Sequence, residues 1–356
     1  MILALLEDVG SVIVGLKDEA DVLSGKSILL TGARGYLGRF VVATLLELND
    51  DLPTPMHIYA MDSLLHGPDD REDWRNQPNL HFIQHDVCHE FGNLTGLLAG
   101  KKLDYVLHMA GIASPFWYNR LPLETISVSV DGSRNLLKLA REHQAKYLFT
   151  SSSEVYQTAD VVPTPETYVG AVPSQSDRSC YDISKLMGET LAYVYGSKFD
   201  VHTNVVRIFN SFGVGLGEKD RRILARIASA VKVDRPVQIY RTREGPWPKR
   251  TYTPVANTVL GLLLVMLKGA KNETYNVGLN CPEVDVPTLC GRIEYATGLP
   301  IEVEFKDAPA VYQTEPMRRC PDITKLKGLG FVPIVDLDEG LRRFFKWAMK
   351  VYTGEA

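Results

Sequence analysis

Apolar and β-branched residues along this chain come in short unbroken runs, separated by longer stretches of helical period. The runs are SILLTG (27–32), MHIYAMD (56–62), LHFIQHD (80–86), YVLHMAG (105–111), KYLFTSS (146–152) and HTNVVRIFN (202–210). Between them, from Val128 to Glu142 and from Tyr181 to Tyr195, apolar positions recur at the spacing of a helix face. Strands alternating with helices of this length predict βαβ units, and so an α/β fold built on a doubly wound parallel sheet.

The rhythm loosens after about residue 212. Pro236, Pro246, Pro248 and Pro254 interleave with predicted helices near 255–268, 286–297 and 337–352. The expected organisation is an N-terminal helical extension (1–25), a dinucleotide-binding domain (26–211) and a smaller substrate-binding region (212–356) partly interleaved with it. That last region is expected against the carboxyl ends of the strands, where open α/β sheets bind ligands. The extension begins with an apolar run interrupted by Glu7 and Asp8 and preceded by no basic residue, unlike a secretory leader. It reads as an amphipathic helix docked on its own domain or on a partner subunit.

Composition narrows the class. The 356 residues are 45% hydrophobic and 23% charged, values of an ordinary globular protein with a sizeable core. A net charge of −4 advertises no basic face, so no nucleic-acid partner is expected. No run of 18 apolar residues occurs, and no membrane span is expected. The cysteines, Cys88, Cys180, Cys281, Cys290 and Cys320, are odd in number and lack metal-ligand spacing. They predict reduced thiols, no metal site and a cytoplasmic setting.

Candidate chemistry begins where the first strand runs into Gly32-Ala33-Arg34-Gly35-Tyr36-Leu37-Gly38. This GxxGxxG permits a tight turn, close approach of backbone to a pyrophosphate, and close packing of helix on strand, with helix N–H groups aimed at the anion. Such a turn makes the sheet Rossmann-type. Asp62 ends the second strand, where a carboxylate can accept both ribose hydroxyls. The residues after it, Ser63-Leu64-Leu65-His66, carry no Arg or Lys for a 2′-phosphate, which favours NAD over NADP. Asp86 and Val87 end the third strand, where an adenine edge is met.

Tyr181 and Lys185 stand four apart on a predicted helix, on one face. Among sixteen tyrosines only Tyr181 has a lysine at that offset. A phenol with pKa near 10 is a poor base at neutral pH; an adjacent ammonium, together with a positively charged nicotinamide, is expected to pull it toward 7. The stretch Thr150-Ser151-Ser152-Ser153-Glu154-Val155-Tyr156 raises a further question: a strand ends there in three hydroxyls and a carboxylate.

The glycine turn, the hydroxyl-rich strand end and the YxxxK pair resemble the extended short-chain dehydrogenase/reductase family over about residues 26–350. The nearest likeness is to its nucleotide-sugar branch, and within that to decarboxylases of uronic acids. Ala113-Ser114-Pro115 with Tyr118 and Pro122, Arg207 to Gly213, Lys249 to Thr253, and Arg319 to Ile323 carry the closer match. The resemblance implies an NAD-dependent enzyme acting on a sugar nucleotide, most often a UDP-sugar. Dehydratases write Thr-Asp-Glu where this chain has Ser152-Ser153-Glu154; a Ser in the middle favours carboxylate loss. The implied reaction is C4 oxidation, CO2 loss and re-reduction, taking UDP-glucuronate to UDP-xylose or its 4-keto pentose. A 4-epimerase or 4,6-dehydratase is the alternative. The catalytic residues implied are Ser152, Ser153, Glu154, Tyr181, Lys185 and Arg250. Cofactor contacts are implied for Gly32, Gly35, Tyr36, Leu37, Gly38, Asp62, Asp86, Val87, Ala110, Tyr181 and Lys185. Substrate contacts are implied for Tyr118, Asn210, Arg222, Arg250 and Arg319, the last and Arg222 at its phosphates. Relatives dimerise through a four-helix bundle that includes the Tyr-Lys helix, so a homodimer is expected. The chain departs from the family pattern at Gln157 (usually Gly), at Asn257 (usually Asp), and from Arg241 to Lys249, a longer and bulkier segment.

Overall fold

A computed structural model of the chain describes residues 2–16, 19–65, 77–92, 96, 98, 100–241, 247–307 and 316–354. The predicted runs form β1 (Ser27–Thr31), β2 (His57–Asp62), β3 (Leu80–Gln84), β4 (Tyr105–His108), β5 (Lys146–Ser152) and β6 (Thr203–Ile208). Beyond them lie β7 (Ser211–Phe212), β8 (Val237–Arg241), β9 (Lys249–Arg250), β10 (Thr253–Pro254), β11 (Glu273–Val277), β12 (Val303–Asp307) and β13 (Arg318–Arg319).

Among the described residues, seven strands make one parallel sheet in the order β11-β6-β5-β4-β1-β2-β3. All five residues of β1 are buried, as a strand covered on both faces requires. Chain direction through the sheet reverses at β1, whose neighbours are β2 on one side and β4 on the other. The crevice at such a switch point is where ligands bind, and the glycine turn opens there. The sheet also takes in β11, beside β6, although its sequence, ETYNV, lies well beyond residue 211, in the region expected to be only partly interleaved with the dinucleotide-binding domain. The boundary at 211 is thus one of function more than of structure: helix Val255–Lys268, also from beyond it, has all but its last residue buried in the same core.

The N-terminal helix Ile2–Leu16 docks on its own chain, against helices Tyr36–Leu48 and Val255–Lys268. Leu5, Val9, Val12 and Leu16 form its buried stripe, and the Arg343 guanidinium pairs with Asp8 at 2.8 Å. At the departure Asn257, the buried amide accepts from Ile334 N (2.8 Å) and donates to Val335 O (2.5 Å). A carboxylate could not donate, so the amide suits this loop better than Asp.

Three short pairs complete the substrate region: β7 with β10, β8 with β12, and β9 with β13. The last sets Arg250 beside Arg319 in register. Among the described residues, no helix is long and apolar enough to cross a membrane.

Candidate active site

One continuous cleft of about 1940 Å³ runs over the carboxyl ends of β1, β2, β4 and β5, from the glycine turn to β9 and β13. At its floor, Gly32 has φ +67°, and a Cβ there would lie 2.8 Å from the backbone of Ala110. A Cβ at Gly38 would lie 2.0 Å from Gly32 O, so the helix sits on the strand only because that position has no side chain. Gly35 is the N-cap of helix Tyr36–Leu48 and offers no side-chain cap, so the first N–H groups, those of Tyr36 and Leu37 included, are left for an anion. The Asp62 carboxylate is fixed by Arg34 N (2.8 Å) and Leu64 N (2.9 Å) at the lip of the turn. Asp86 accepts from Cys88 N at 2.9 Å, and Val87 is buried beside it. A diphosphate flanked by ribose and adenine fits this cradle of bare backbone, helix terminus and carboxylate. His66, which completes the stretch free of Arg and Lys after Asp62, lies outside the described residues.

The four hydroxyls ahead of Glu154 have separate tasks. Thr150 Oγ1 donates to His108 O (3.0 Å), and Ser151 Oγ donates to Glu189, itself paired to Arg207, so both lock β5 in place. Ser152 Oγ accepts from Glu154 N (3.3 Å), capping the single turn Ser153–Tyr156, and is hydrogen-bonded to the Tyr181 phenol. Ser153 is buried and lines the cleft.

Tyr181 and Lys185 project from helix Ser179–Phe199 into the same cleft. Lys185 Nζ donates to Thr150 O at 2.9 Å, and burial lowers its pKa to about 8. Burial pushes the Tyr181 phenol up to about 12, against the Ser152 hydrogen bond. The expectation that lysine helps pull this phenol toward 7 is therefore not met by the chain alone. Nζ is held on Thr150 O, 5.8 Å from the centre of the phenol ring, and desolvation of the phenolate dominates.

Glu154 is half-buried, its side chain 17% exposed, and forms ion pairs with Arg178 and with Arg319. Burial alone would raise its carboxyl; Arg319, Arg178 and Arg250 outweigh it and hold the group below the usual carboxylate range. Three guanidiniums from distant parts of the sequence thus converge beside Ser152 and Tyr181.

A family profile, described as NAD dependent epimerase/dehydratase family, matches residues 28–278. The chain belongs to the NAD dependent epimerase/dehydratase family. UDP-glucuronic acid decarboxylase 5 of Arabidopsis thaliana is 32% identical over 89% of this chain and 88% of its own length. UDP-glucuronic acid decarboxylase 1 of Xenopus tropicalis is 30% identical over 93% of this chain and 74% of its own. Among solved structures, UDP-glucose 4-epimerase of Thermotoga maritima with UDP-glucose superposes with a TM-score of 0.78 at 25% identity, covering 91% of this chain and 99% of that one.

The ring of Tyr118 stacks on that of Tyr181 at 5.4 Å and 14°. Tyr118, implied at substrate, lines the cleft and is 2% exposed. Arg319, expected at the phosphates, is committed to Glu154. Arg222 lines the cleft but is held by Asp220 through two bonds, 2.5 and 3.1 Å. Asn210, at φ 39°, lines the cleft and donates to Thr251 O at 2.8 Å. Arg250 lines it as well, next to β13. The sequence reading missed Arg178 and Asp182. Their one local signal was an Arg and an Asp at i and i+4 flanking Tyr181; the partner that gives Arg178 its role, Glu154, lies a whole loop away.

Proposed function

We propose that the chain is an NAD-dependent decarboxylase of UDP-glucuronate, forming UDP-xylose or the corresponding 4-keto pentose. The observation that carries this reading is the convergence of Arg178, Arg250 and Arg319 beside the Ser152–Tyr181 pair. A neutral hexose has no use for so cationic a corner, whereas a uronate carboxylate does. The two UDP-glucuronic acid decarboxylases, similar over about nine-tenths of this chain, support the same assignment.

NAD, held by the glycine turn and Asp62, supplies the hydride acceptor and donor that make and unmake a ketone at C4. Tyr181 takes the C4 hydroxyl proton and later returns it; Ser152, hydrogen-bonded to the phenol, holds the proton's path in line. Lys185 fixes the end of β5 through Thr150 O and carries a positive charge beneath the phenol. Arg250 holds the sugar carboxylate and helps deliver the proton to C5. As the C5–C6 bond breaks, its electrons pass to the C4 oxygen, where the Ser152 donor stabilises the charge by about 3 kcal/mol. Glu154, kept ionised by its arginines, orients with Ser153 a water near C5, and that water, with Arg250, supplies the proton that C5 takes as the enolate collapses to the ketone.

Asn210 and Arg222 contribute to the sugar-nucleotide wall of the cleft. Two further readings accompany this one. A homodimer is supported by apolar side chains on the outward faces of helices Pro122–His143 and Ser179–Phe199, where Leu123 is 74% and Met187 44% exposed. A cytoplasmic setting is supported by the free state of all the cysteines.

The test is incubation with NAD⁺ and UDP-glucuronate, following CO2 release and the sugar NMR spectrum. Gas with a pentose anomeric signal is expected. UDP-galacturonate without gas would make the chain a 4-epimerase, and an unchanged sugar would remove the assignment.

A further inference from the structure

The turn that carries Glu154 ends at Gln157, whose backbone sits at φ 50°, ψ −131°. A side chain is strained there, and such strain persists only where its surroundings fix it. What this conformation achieves is visible in the amide. Gln157 Nε2 donates to Glu154 O (3.1 Å) and to Asp182 Oδ2 (2.6 Å), while Gln157 N also donates to Glu154 O (3.1 Å). Asp182 is 1% exposed and sits on the helix between Tyr181 and Lys185. Its Oδ2 lies 3.8 Å from Arg178 Nε, and Arg178 in turn pairs with Glu154. The contacts close a ring: Glu154 to Gln157, Gln157 to Asp182, Asp182 to Arg178, Arg178 to Glu154.

We propose that Gln157 is a positioning residue that latches the Ser152–Glu154 turn to the Tyr181 helix, so that acid–base phenol and active-site carboxylate are held as one rigid unit. Two covalently remote segments must keep a fixed offset for the proton and the carboxylate to be handled on the same sugar. Beside the Ser152 contact with the phenol, the Gln157 amide is an uncharged link between them, made from a left-handed backbone that reaches both. The second oxygen of Asp182, Oδ1, is buried without a hydrogen-bond partner among the described residues. The Gln157 bond is therefore the main neutral support of that carboxylate. The charged groups around it are Glu154, which opposes its ionisation, and Arg178 and Arg319, which favour it.

The activity arm of the test rests on the decarboxylase reading; the spectroscopic arm does not. Full-length Gln157→Gly relieves the backbone while deleting the amide, and Gln157→Met keeps the bulk without the donor. In protein labelled with ¹³C at aspartate carboxyls, the Asp182 resonance is identified by its loss in Asp182→Asn and titrated in each variant. Loss of the donor is expected to move that titration to higher pH by about one unit. With NAD⁺ and UDP-glucuronate, kcat is expected to fall about tenfold while KM changes by less than about threefold, because alignment is lost and binding is kept. An Asp182 titration that stays in place in Gln157→Gly overturns the latch, as does an unchanged kcat in both variants. Wild-type protein that releases no CO2 overturns the decarboxylase reading instead, and the titration then decides the latch alone.

Discussion

Asp182 offers a quantitative check on the electrostatics of the site. It is almost wholly buried and next to Glu154, and burial is the first cause of a pKa raised from 3.8 to about 6; the Glu154 charge adds to it, while Arg178 and the Gln157 bond oppose it. A carboxyl whose folded pKa lies above its unfolded value binds more protons in the native state, so its effect on stability has the less common sign. The contribution is fully present below pH 3.8 and is lost as pH rises through 6. The whole shift corresponds to about 3 kcal/mol. Between pH 5 and pH 8 the share lost is about 1.4 kcal/mol, since at pH 5 the unfolded chain is already mostly ionised. Asp182→Asn keeps an oxygen to accept from Gln157 and removes the titration. The unfolding free energies of wild type and variant should therefore diverge by about 1.4 kcal/mol in favour of the variant on going from pH 5 to pH 8. Urea unfolding of cofactor-free protein at the two pH values measures it, and subtraction removes other titrating groups. A difference that does not change with pH refutes the reasoning.

Other expectations follow from the same contacts. Arg250→Ala should lower kcat/KM for decarboxylation by roughly 10²–10³-fold while NAD affinity, read by fluorescence titration, stays as in wild type. Glu154→Gln leaves Arg319, almost wholly buried, without its carboxylate and should cost about 3 kcal/mol of unfolding free energy, measured at pH 7.5. Gly38→Ala forces a Cβ onto Gly32 O and should abolish NAD retention through gel filtration, with unfolding still cooperative.

How much of this was legible in the sequence depended on the range of the forces involved. β1 to β6 could be read because strands buried on both faces must be apolar throughout, and the glycine turn because each of its glycines answers a local steric demand. β11 escaped because its ETYNV is neither alternating nor apolar; Asn276, buried there, is accepted only because Thr164 O and Asp322 O take its amide hydrogens. YxxxK placed Tyr181 and Lys185 on one helix face, in one cleft, but did not give their ionisation, since the pKa of Tyr181 is set by burial that no spacing reveals. Arg319 and Arg178 could be seen as cations, yet their commitment to Glu154 arises from segments far apart in the chain.

That commitment also bears on how the protein is made. Glu154 and Arg178 leave the ribosome ahead of β6, and Arg250 and Arg319 follow only with the two-residue strands β9 and β13. The charge cluster around Glu154 therefore closes only once β13 has emerged, after β11 and helix Val255–Lys268, which complete the same core. A cut between β9 and β13 would part Arg319 from Glu154 and leave Arg178 as the ion-pair partner of that carboxylate.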